Sequence, residues 1–233
     1  MMEKLAETVR HRRQRAGVRV GRPPQKHAGE VDERILDAAH HVFLERGLVG
    51  ASVDEIANRA NAGKPTIYAR FPNKEALFAA VVMRNCAAAV AHVESTLHSG
   101  GPIEQHLIAF GEDILQWALA GDTVNLMRVS IAEAGRLSHL ASNVHQMARG
   151  RGEEGVAKLL AEAAQADALG ASPAFAPEHV AETARFFMEL IFFPIIRRAL
   201  FGEDIAALRA EIGPHVARSV KFFLAACRNG GGV

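Results

Sequence analysis

A short stretch of the chain concentrates side chains that can bind phosphate and base edges. Lys64 and Lys74 carry positive charge, and the hydroxyl groups of Thr66 and Tyr68 can both donate and accept hydrogen bonds. Such groups make positioning contacts to a nucleic-acid backbone and directed contacts to base edges. The pattern therefore indicates binding of a polyanion. The complete set of candidate contacts here is Ser52, Lys64, Pro65, Thr66, Tyr68 and Lys74.

Two short helices joined by a tight turn are expected to position these side chains. Ser52 and Glu55 have the spacing of a capping box, which predicts a helix over about 53–60. Asn61 tolerates the left-handed backbone that ends such a helix. Pro65 suits the first turn of a second short helix, where no backbone donor is needed. Together they predict a helix-turn-helix, which inserts its second helix into the DNA major groove.

The next boundary is marked by Pro72 and Asn73. Proline disfavours helical geometry in the residue before it, and Asn73 is a good N-cap for a new helix that we expect to reach about Thr96. The first-turn amides of this helix, together with Lys74, can face a phosphate.

A wider set of residues carries a resemblance to a known family. These residues are Ile35, Leu36, Asp37, Ala38, Ala39, Phe43, Gly47, Ile56, Ala57, Thr66, Ile67, Tyr68, Phe71, Lys74, Glu75, Ala76 and Leu77. In order and spacing, residues 32 to 78 resemble the DNA-binding domain of the TetR family of bacterial transcriptional regulators. Asn61 and Ala62 depart from it, because the family usually has Gly and a branched apolar residue there. The resemblance implies that Tyr68 contacts a phosphate.

Charge is unevenly distributed along the 233 residues, although the net charge is only +1. Residues 1–29 hold eight Lys or Arg against two Glu. We interpret this segment as a flexible basic arm, and its Gly21-Arg22-Pro23 element resembles minor-groove hooks. The alternatives are a tail without DNA contacts or a start codon assigned upstream of the true one. The arm residues predicted to contact DNA are Arg12, Arg13, Arg15 and Arg22.

The remainder of the chain has helical periodicity and no strand-like alternation of useful length. We therefore predict an all-α fold of about nine or ten helices. Residues 30–75 form the three-helix helix-turn-helix domain in this interpretation, and residues 76–228 form a larger helical domain. Helix 1 is expected over about 32–46, and Gly150, Gly152 and Gly155 weaken the prediction of a helix over about 145–162.

Of the last two major helices, the one expected over about 177–201 is apolar around most of its circumference, so it must be buried on more than one side, and the one expected over about 203–228 carries a similar apolar stripe. The TetR resemblance implies a symmetric dimer in which these helices form a four-helix interface. The alternative is that both helices lie inside a monomer. Pro194 is expected to kink the first helix, and Gly213-Pro214 to bend or split the second. The predicted interface residues are Phe187, Ile191, Ile195, Ile212, Val216 and Val220.

The resemblance also implies a ligand cavity in the second domain. Apolar side chains with a few polar groups, as in a small-molecule pocket, occur on the middle helices. These candidates are Met83, Cys86, Phe110, Trp117, Met127, Arg128 and Glu133. The segment 126–136 resembles a sensor helix from a TetR branch associated with efflux control. We expect a small apolar or amphipathic effector that releases a repressor from a palindromic operator in double-stranded DNA.

Other function classes find little support in the sequence. We find no nucleophile elbow, phosphate loop or zinc pattern, so we predict neither an enzyme nor a cofactor. A metal-sensing or ligand-independent regulator of the same fold, or an architectural DNA binder, remains the alternative. Cys86 and Cys227 are far apart, which fits a reducing cytoplasm. No signal peptide or membrane span is expected, and we predict a cytoplasmic protein.

Overall fold

The computed structural model describes residues 25–96, 102–135, 138–165 and 172–228, and these ranges contain helices and no strand. The helices are α1 (Gln25–Gly50), α2 (Val53–Ala60), α3 (Lys64–Tyr68), α4 (Lys74–Thr96), α5 (Ile103–Ala118), α6 (Thr123–Glu133), α7 (Ser138–Gln165), α8 (Val180–Leu200) and α9 (Ile205–Arg228). A 3-10 turn, Pro173–Phe175, precedes α8. The all-α prediction is confirmed. The predicted arm, with Arg12, Arg13, Arg15 and Arg22, lies outside the described residues.

The N-terminal part is a three-helix head, which we define as α1, α2 and α3 with their connections. Its core forms because Ile35, Ala39 and Phe43 repeat on one face of α1, and all three are fully buried. The ring of Phe43 packs edge-on against Phe78 of α4, with the ring centroids 5.2 Å apart. Helix α1 is longer than predicted, but its backbone leaves helical geometry at Gly47, where φ is +66°. Glycine adopts this left-handed conformation without steric cost.

The larger domain is built around α5, α8 and α9, whose buried faces share one core. Helix α7 begins before and ends after the predicted range, despite its glycines. Close packing accounts for this difference. A Cβ atom at Gly152 would lie 3.1 Å from Met188 of α8, and one at Gly155 would lie 3.3 Å from Phe110 of α5. The missing side chains let α7 approach its neighbours closely, and the resulting burial outweighs the low helix propensity of glycine.

Both long C-terminal helices continue through an internal proline. A bend or a split was predicted at Gly213-Pro214. Helix α9 continues through Pro214, so the split does not occur. In α8, Pro194 disturbs the backbone hydrogen bonds of the preceding turn. His215 Nε2 of α9 lies 3.0 Å from the carbonyl oxygen of Ile191 in that turn. Since a carbonyl can only accept, Nε2 donates in this hydrogen bond, which joins the two helices in the turn before Pro194.

Helix α6 joins the head to the larger domain. Leu126 of α6 is 1% exposed and belongs to the core of the head, whereas Val124 belongs to the core of the larger domain. At the start of α6, Asp122 Oδ2 lies 3.8 Å from His40 Nε2 of α1. Burial lowers the pKa of His40, although the neighbouring Asp122 opposes that shift. No helix in the described part of the chain is long and apolar enough to cross a membrane.

Gly111 lets α5 lie close to Ile191 of α8 and Val216 of α9, and its replacement tests this packing. A Cβ atom there would lie 2.8 Å from Val216 Cγ1 and 3.2 Å from Ile191 Cγ2. We expect Gly111→Ala to lower the free energy of unfolding by about 1–3 kcal/mol, because the β-branched neighbours must shift. Gly150→Ala is the matched control, since nothing lies within 4 Å of its Cβ position. Urea unfolding should show Gly150→Ala unchanged or stabilised; equal losses in both variants would contradict this packing.

Candidate nucleic-acid interface

The turn between α2 and α3 has the backbone that its sequence predicts. Asn61 is left-handed, with φ 48° and ψ 49°, and ends α2. The amide of Ala62 donates to the carbonyl oxygen of Ala57 at 3.0 Å, which closes the turn. Gly63 is extended, and α3 then begins with Pro65 in its first turn. The departure from the family pattern at Asn61 therefore leaves the turn intact.

One buried side chain holds helix α3 against the rest of the head, and three of the other four side chains are exposed. Ile67 is 1% exposed and packs into the core of the head. The next residue, Tyr68, is 49% exposed, and Lys64 and Pro65 are exposed as well. Thr66 is half-buried. A short helix anchored by one aliphatic residue thus offers a cation and two hydroxyl groups to an incoming ligand.

Lys64 already has a partner within the head. Its Nζ lies 2.5 Å from Oδ1 of Asp54, in the first turn of α2. The hydrogen bond with this carboxylate raises the pKa of Lys64 above its ordinary value. Asp54 is a residue that sequence reasoning missed. No pattern could have revealed it, because the two residues are brought together by the turn and not by helical spacing.

Lys74 has a structural role in addition to the predicted phosphate contact. Its Nζ donates to the carbonyl oxygens of Val49 and Ala51, at 3.1 Å and 2.9 Å. These carbonyls follow the break at Gly47 and flank the entry into α2. The ammonium group therefore ties the start of α4 to the end of α1. An ammonium has three donors, so one remains for a phosphate.

Helix caps account for two further predicted residues. Ser52 Oγ accepts a hydrogen bond of 3.2 Å from the amide of Asp54, and Asn73 Oδ1 accepts one of 2.7 Å from the amide of Ala76. The side chain of Glu55 binds Arg59 at 3.1 Å. This partner replaces the reciprocal contact of a capping box, so that part of the prediction is wrong. Ser52 stays exposed at the N-terminus of α2.

Two further cations of the head, Arg59 and Arg70, are also paired with carboxylates. Arg59 donates to both oxygens of Glu45, at 2.8 Å and 2.7 Å. Arg70 donates to the carbonyl oxygen of Thr66 at 3.1 Å and forms an ion pair with Asp32. From the sequence, residues 30–75 hold six Lys or Arg against eight Asp or Glu. The head by itself therefore has no excess of positive charge.

The six residues predicted for a dimer interface lie inside the subunit. None of them is more than 2% exposed, so the prediction for these side chains is wrong. The six are Phe187, Ile191, Ile195, Ile212, Val216 and Val220. They share the core with α5, where Gly111 lies against Ile191 and Val216. Instead, Phe186 and Phe193 of α8 and Phe222 of α9 are 50%, 41% and 68% exposed.

Four of the seven candidate ligand residues lie in or against a hydrophobic core, and these four are divided between two cores. Cys86 packs against the core of the head, whereas Phe110, Trp117 and Met127 belong to or contact the core of the larger domain. Phe110 is buried, and Met83 and Glu133 are half-buried. A surface cleft of about 430 Å³ between α1 and α2 contains none of the seven. Within the described ranges, no group of three His, Cys, Asp or Glu residues could hold a metal ion.

Arg128, the remaining ligand candidate, binds the end of α8. It donates to the carbonyl oxygens of Ala199 and Leu200, at 2.6 Å and 3.1 Å, and to Asn125 Oδ1 at 2.9 Å. A guanidinium at a helix C-terminus satisfies carbonyls that have no partner within the helix. Arg128 therefore links α6 to α8.

Two family models match the chain. Residues 35–81 match bacterial regulatory proteins of the tetR family. Residues 105–229 match the C-terminal domain of AefR-like transcriptional repressors. These two segments cover the head from Ile35 onward, the start of α4 as far as residue 81, and α5 to α9 from Gln105 onward, and they leave residues 82–104 unmatched.

Known proteins resemble the chain to different extents. An 81-residue segment is 40% identical to the HTH-type transcriptional activator FasR of Mycolicibacterium smegmatis, and spans 34% of this chain and 37% of FasR. The crystal structure of a TetR-family regulator from Mesorhizobium loti has a TM-score of 0.72 at 24% identity, covering 85% of this chain and 97% of that one. The flavonoid-responsive regulator FrrA has a TM-score of 0.63 at 26% identity, with coverage of 85% and 97%.

Substitutions of Lys74 and Tyr68 should have different effects on stability, and measurements of stability and DNA binding together test this. We expect Lys74→Gln to lower the free energy of unfolding by roughly 1–3 kcal/mol, because two carbonyls lose a charged donor. Tyr68→Phe should leave stability within about 0.5 kcal/mol, since the hydroxyl is on an exposed side chain. Thermal unfolding and DNA titration of both variants provide the comparison. Full stability of Lys74→Gln would contradict the structural role of Lys74.

Proposed function

The chain belongs to the TetR family of bacterial transcriptional regulators, and on that premise we propose that it binds a palindromic operator as a homodimer and responds to a small effector. It is a DNA-binding regulator and not an enzyme. The observation that carries the proposal is α3 itself. Ile67 anchors it, while Lys64, Pro65 and Tyr68 remain exposed, as residues that contact DNA from a recognition helix must be.

The contacts to bases and phosphates follow from this surface. Thr66 and Lys64 are proposed to face base edges or phosphates, and Tyr68 a phosphate. Ser52 and the third donor of Lys74 would bind the backbone on either side of the groove. Because one short helix reads only a few base pairs, a second copy about one DNA turn away gives useful specificity.

We propose that the basic arm supplies much of the attraction to DNA. Residues 1–29 hold eight Lys or Arg against two Glu, whereas residues 30–75 have more acidic than basic residues. Counterion release depends on the cations that neutralise phosphates. The head has few to spare, since Arg59, Lys64 and Arg70 are paired with carboxylates. Arg12, Arg13, Arg15 and Arg22 are therefore the proposed source of this term.

The dimer is proposed to form through the outer surfaces of α8 and α9. Large aromatic side chains at 41–68% exposure are costly to leave in water, and Phe186, Phe193 and Phe222 occur on these two helices. Their opposite faces are buried in the core of the subunit. Each helix therefore has at least one exposed aromatic side chain left for a second copy, and in α8 this satisfies the all-round apolar pattern of the sequence.

An effector would act through α6. Leu126 is packed in the core of the head, and Arg128 of the same helix holds the end of α8. A displacement of α6 would therefore alter both the position of the head and the proposed dimer helices. A ligand changes DNA affinity only if it prefers one of the two arrangements. The proposed ligand contacts lie on α4, α5 and α6. They are Met83, Cys86, Phe110, Trp117, Met127 and Glu133.

The chemical class and the sign of regulation are proposed from relatives. FrrA is flavonoid-responsive by name, which supports a planar, amphipathic or apolar effector. The second family model describes repressors, and it covers more than half of the chain, so we propose a repressor. FasR is named an activator, and its match is confined to about a third of the chain.

A metal-sensing or ligand-independent regulator is the alternative. The proposed site of action is the cytoplasm, where bacterial DNA is.

Selection from a random pool of duplexes tests the proposed function. We expect the purified protein to enrich an inverted repeat, and to bind it with two protomers per duplex. Affinity for a scrambled duplex should be lower by about 10³-fold or more, the usual range for specific DNA binding. The measurement is a titration at several salt concentrations. Enrichment of no sequence, or equal binding to both duplexes, would contradict the proposal.

The same titration includes a control for the arm. A variant with Gln at positions 12, 13, 15 and 22 should bind both duplexes more weakly. Its slope of log affinity against log salt should be shallower by up to about 0.9 for each lost phosphate contact. An unchanged slope would show that the arm makes no backbone contacts, while leaving the operator result intact.

Replacement of Phe222 tests the dimer surface. We expect Phe222→Glu to raise the dimer dissociation constant by roughly 30-fold or more, since loss of a central aromatic contact costs about 2 kcal/mol. Phe201→Glu is the matched control, because Phe201 lies in the turn between α8 and α9 and not on the helical surfaces proposed to form the interface. Sedimentation velocity should show monomers for the first variant and not for the second. Dimers in both would place the interface elsewhere.

A further inference from the structure

The ion pair between Asp54 and Lys64 contributes little to holding the head together. The two side chains are 64% and 49% exposed, and exposed pairs of this kind have small effects on stability. The cap of α2 is provided by Ser52 Oγ and not by the carboxylate of Asp54. The turn between α2 and α3 is closed by backbone hydrogen bonds around Asn61. The head therefore does not require the pair for its fold.

The pair lies where DNA would approach. Asp54 is in the first turn of α2, and Lys64 is the first residue of α3. In a helix-turn-helix, the first helix crosses the backbone while the N-terminal residues of the second reach the bases. A helix N-terminus ordinarily attracts phosphate. A carboxylate at that position repels phosphate. Here the carboxylate of Asp54 is also paired with Lys64, the first residue of the recognition helix.

The neighbouring charges do not remove this effect. Glu55 follows Asp54 and is engaged by Arg59, while Arg46 lies 3.9 Å from Glu55. Arg59 is in turn bound by Glu45. The carboxylate of Asp54 is thus balanced by Lys64 alone among the ion pairs found in the described residues. When DNA draws Lys64 away, Asp54 is left with its charge exposed beside the phosphates.

We propose that Asp54 is a specificity-determining residue, which keeps Lys64 from binding phosphates of arbitrary sequence and so weakens non-specific binding. This inference rests on the proposed DNA-binding function. On a random duplex, Lys64 gains one phosphate but loses one carboxylate, and Asp54 faces the backbone without a partner. On the correct site, the contact of Thr66 to a base edge, which a random sequence does not offer, offsets that loss. Asp54 therefore widens the ratio between specific and non-specific affinity.

Neutralising Asp54 while keeping its shape tests this role. We expect Asp54→Asn to raise affinity for a random-sequence duplex about tenfold at low salt, and to steepen the salt slope by about one. Affinity for the duplex enriched by the wild-type protein should rise less, so the discrimination ratio falls. Glu154→Gln is the matched control, because it makes the same change of charge on an exposed residue of α7.

A double-mutant cycle separates release of Lys64 from simple repulsion. The gain caused by Asp54→Asn should shrink when Lys64 is replaced by Gln, because no cation remains to be released. Equal gains in both backgrounds would overturn the proposal, as would an equal gain from Glu154→Gln. An unchanged random-duplex slope with loss of binding to the enriched duplex would mean that Asp54 contacts a base directly, which also overturns it.

Different results would contradict the proposed function and the role of Asp54. If the wild-type protein enriches no duplex, the proposed function fails, and the role of Asp54 fails with it. If the wild-type protein enriches a duplex but Asp54→Asn leaves the discrimination ratio unchanged, only the role of Asp54 fails. The random-duplex titration is independent of the enriched sequence, so it distinguishes these results.

Discussion

The rest of the structure depends on the insertion of Leu126 into the core of the head. A small three-helix unit buries little apolar surface, and α4 and α6 provide part of what it lacks. Because Leu126 belongs to the larger domain in sequence, the head cannot change position without disturbing that contact. Arg128, two residues later, holds the carbonyls at the end of α8. One helix thus connects the surface that would read DNA with the helices proposed to form the dimer.

Charge in the head is arranged for internal pairing. Arg59, Lys64 and Arg70 each bind a carboxylate, and Lys74 binds two backbone carbonyls. A reading surface built in this way has weak long-range attraction for DNA and depends on close, directed contacts for affinity. Since non-specific binding is almost entirely electrostatic, a nearly neutral head limits it. Attraction can then be supplied separately by the basic residues at the start of the chain.

Much of the head could be predicted because its signals are local. The left-handed residue at Asn61, the cap at Asn73 and the break at Gly47 each follow from the conformational limits of one residue type. The buried stripe of α1 follows from helical period alone. The range of α7 was underestimated because the cost of glycine is local, whereas the gain from packing against Met188 and Phe110 depends on neighbours that are distant in sequence.

The sequence by itself determined the helical elements, the turn and the residues exposed on α3, since these depend on local propensity and on the period of apolar side chains. The tertiary structure decided which side of an all-round apolar helix is interior. It therefore moved Phe187 and Val216 into the core and left Phe186 and Phe222 outside. It also decided the partners of Lys64 and Lys74. Such pairings depend on how separate helices pack, and helical period carries no information about that.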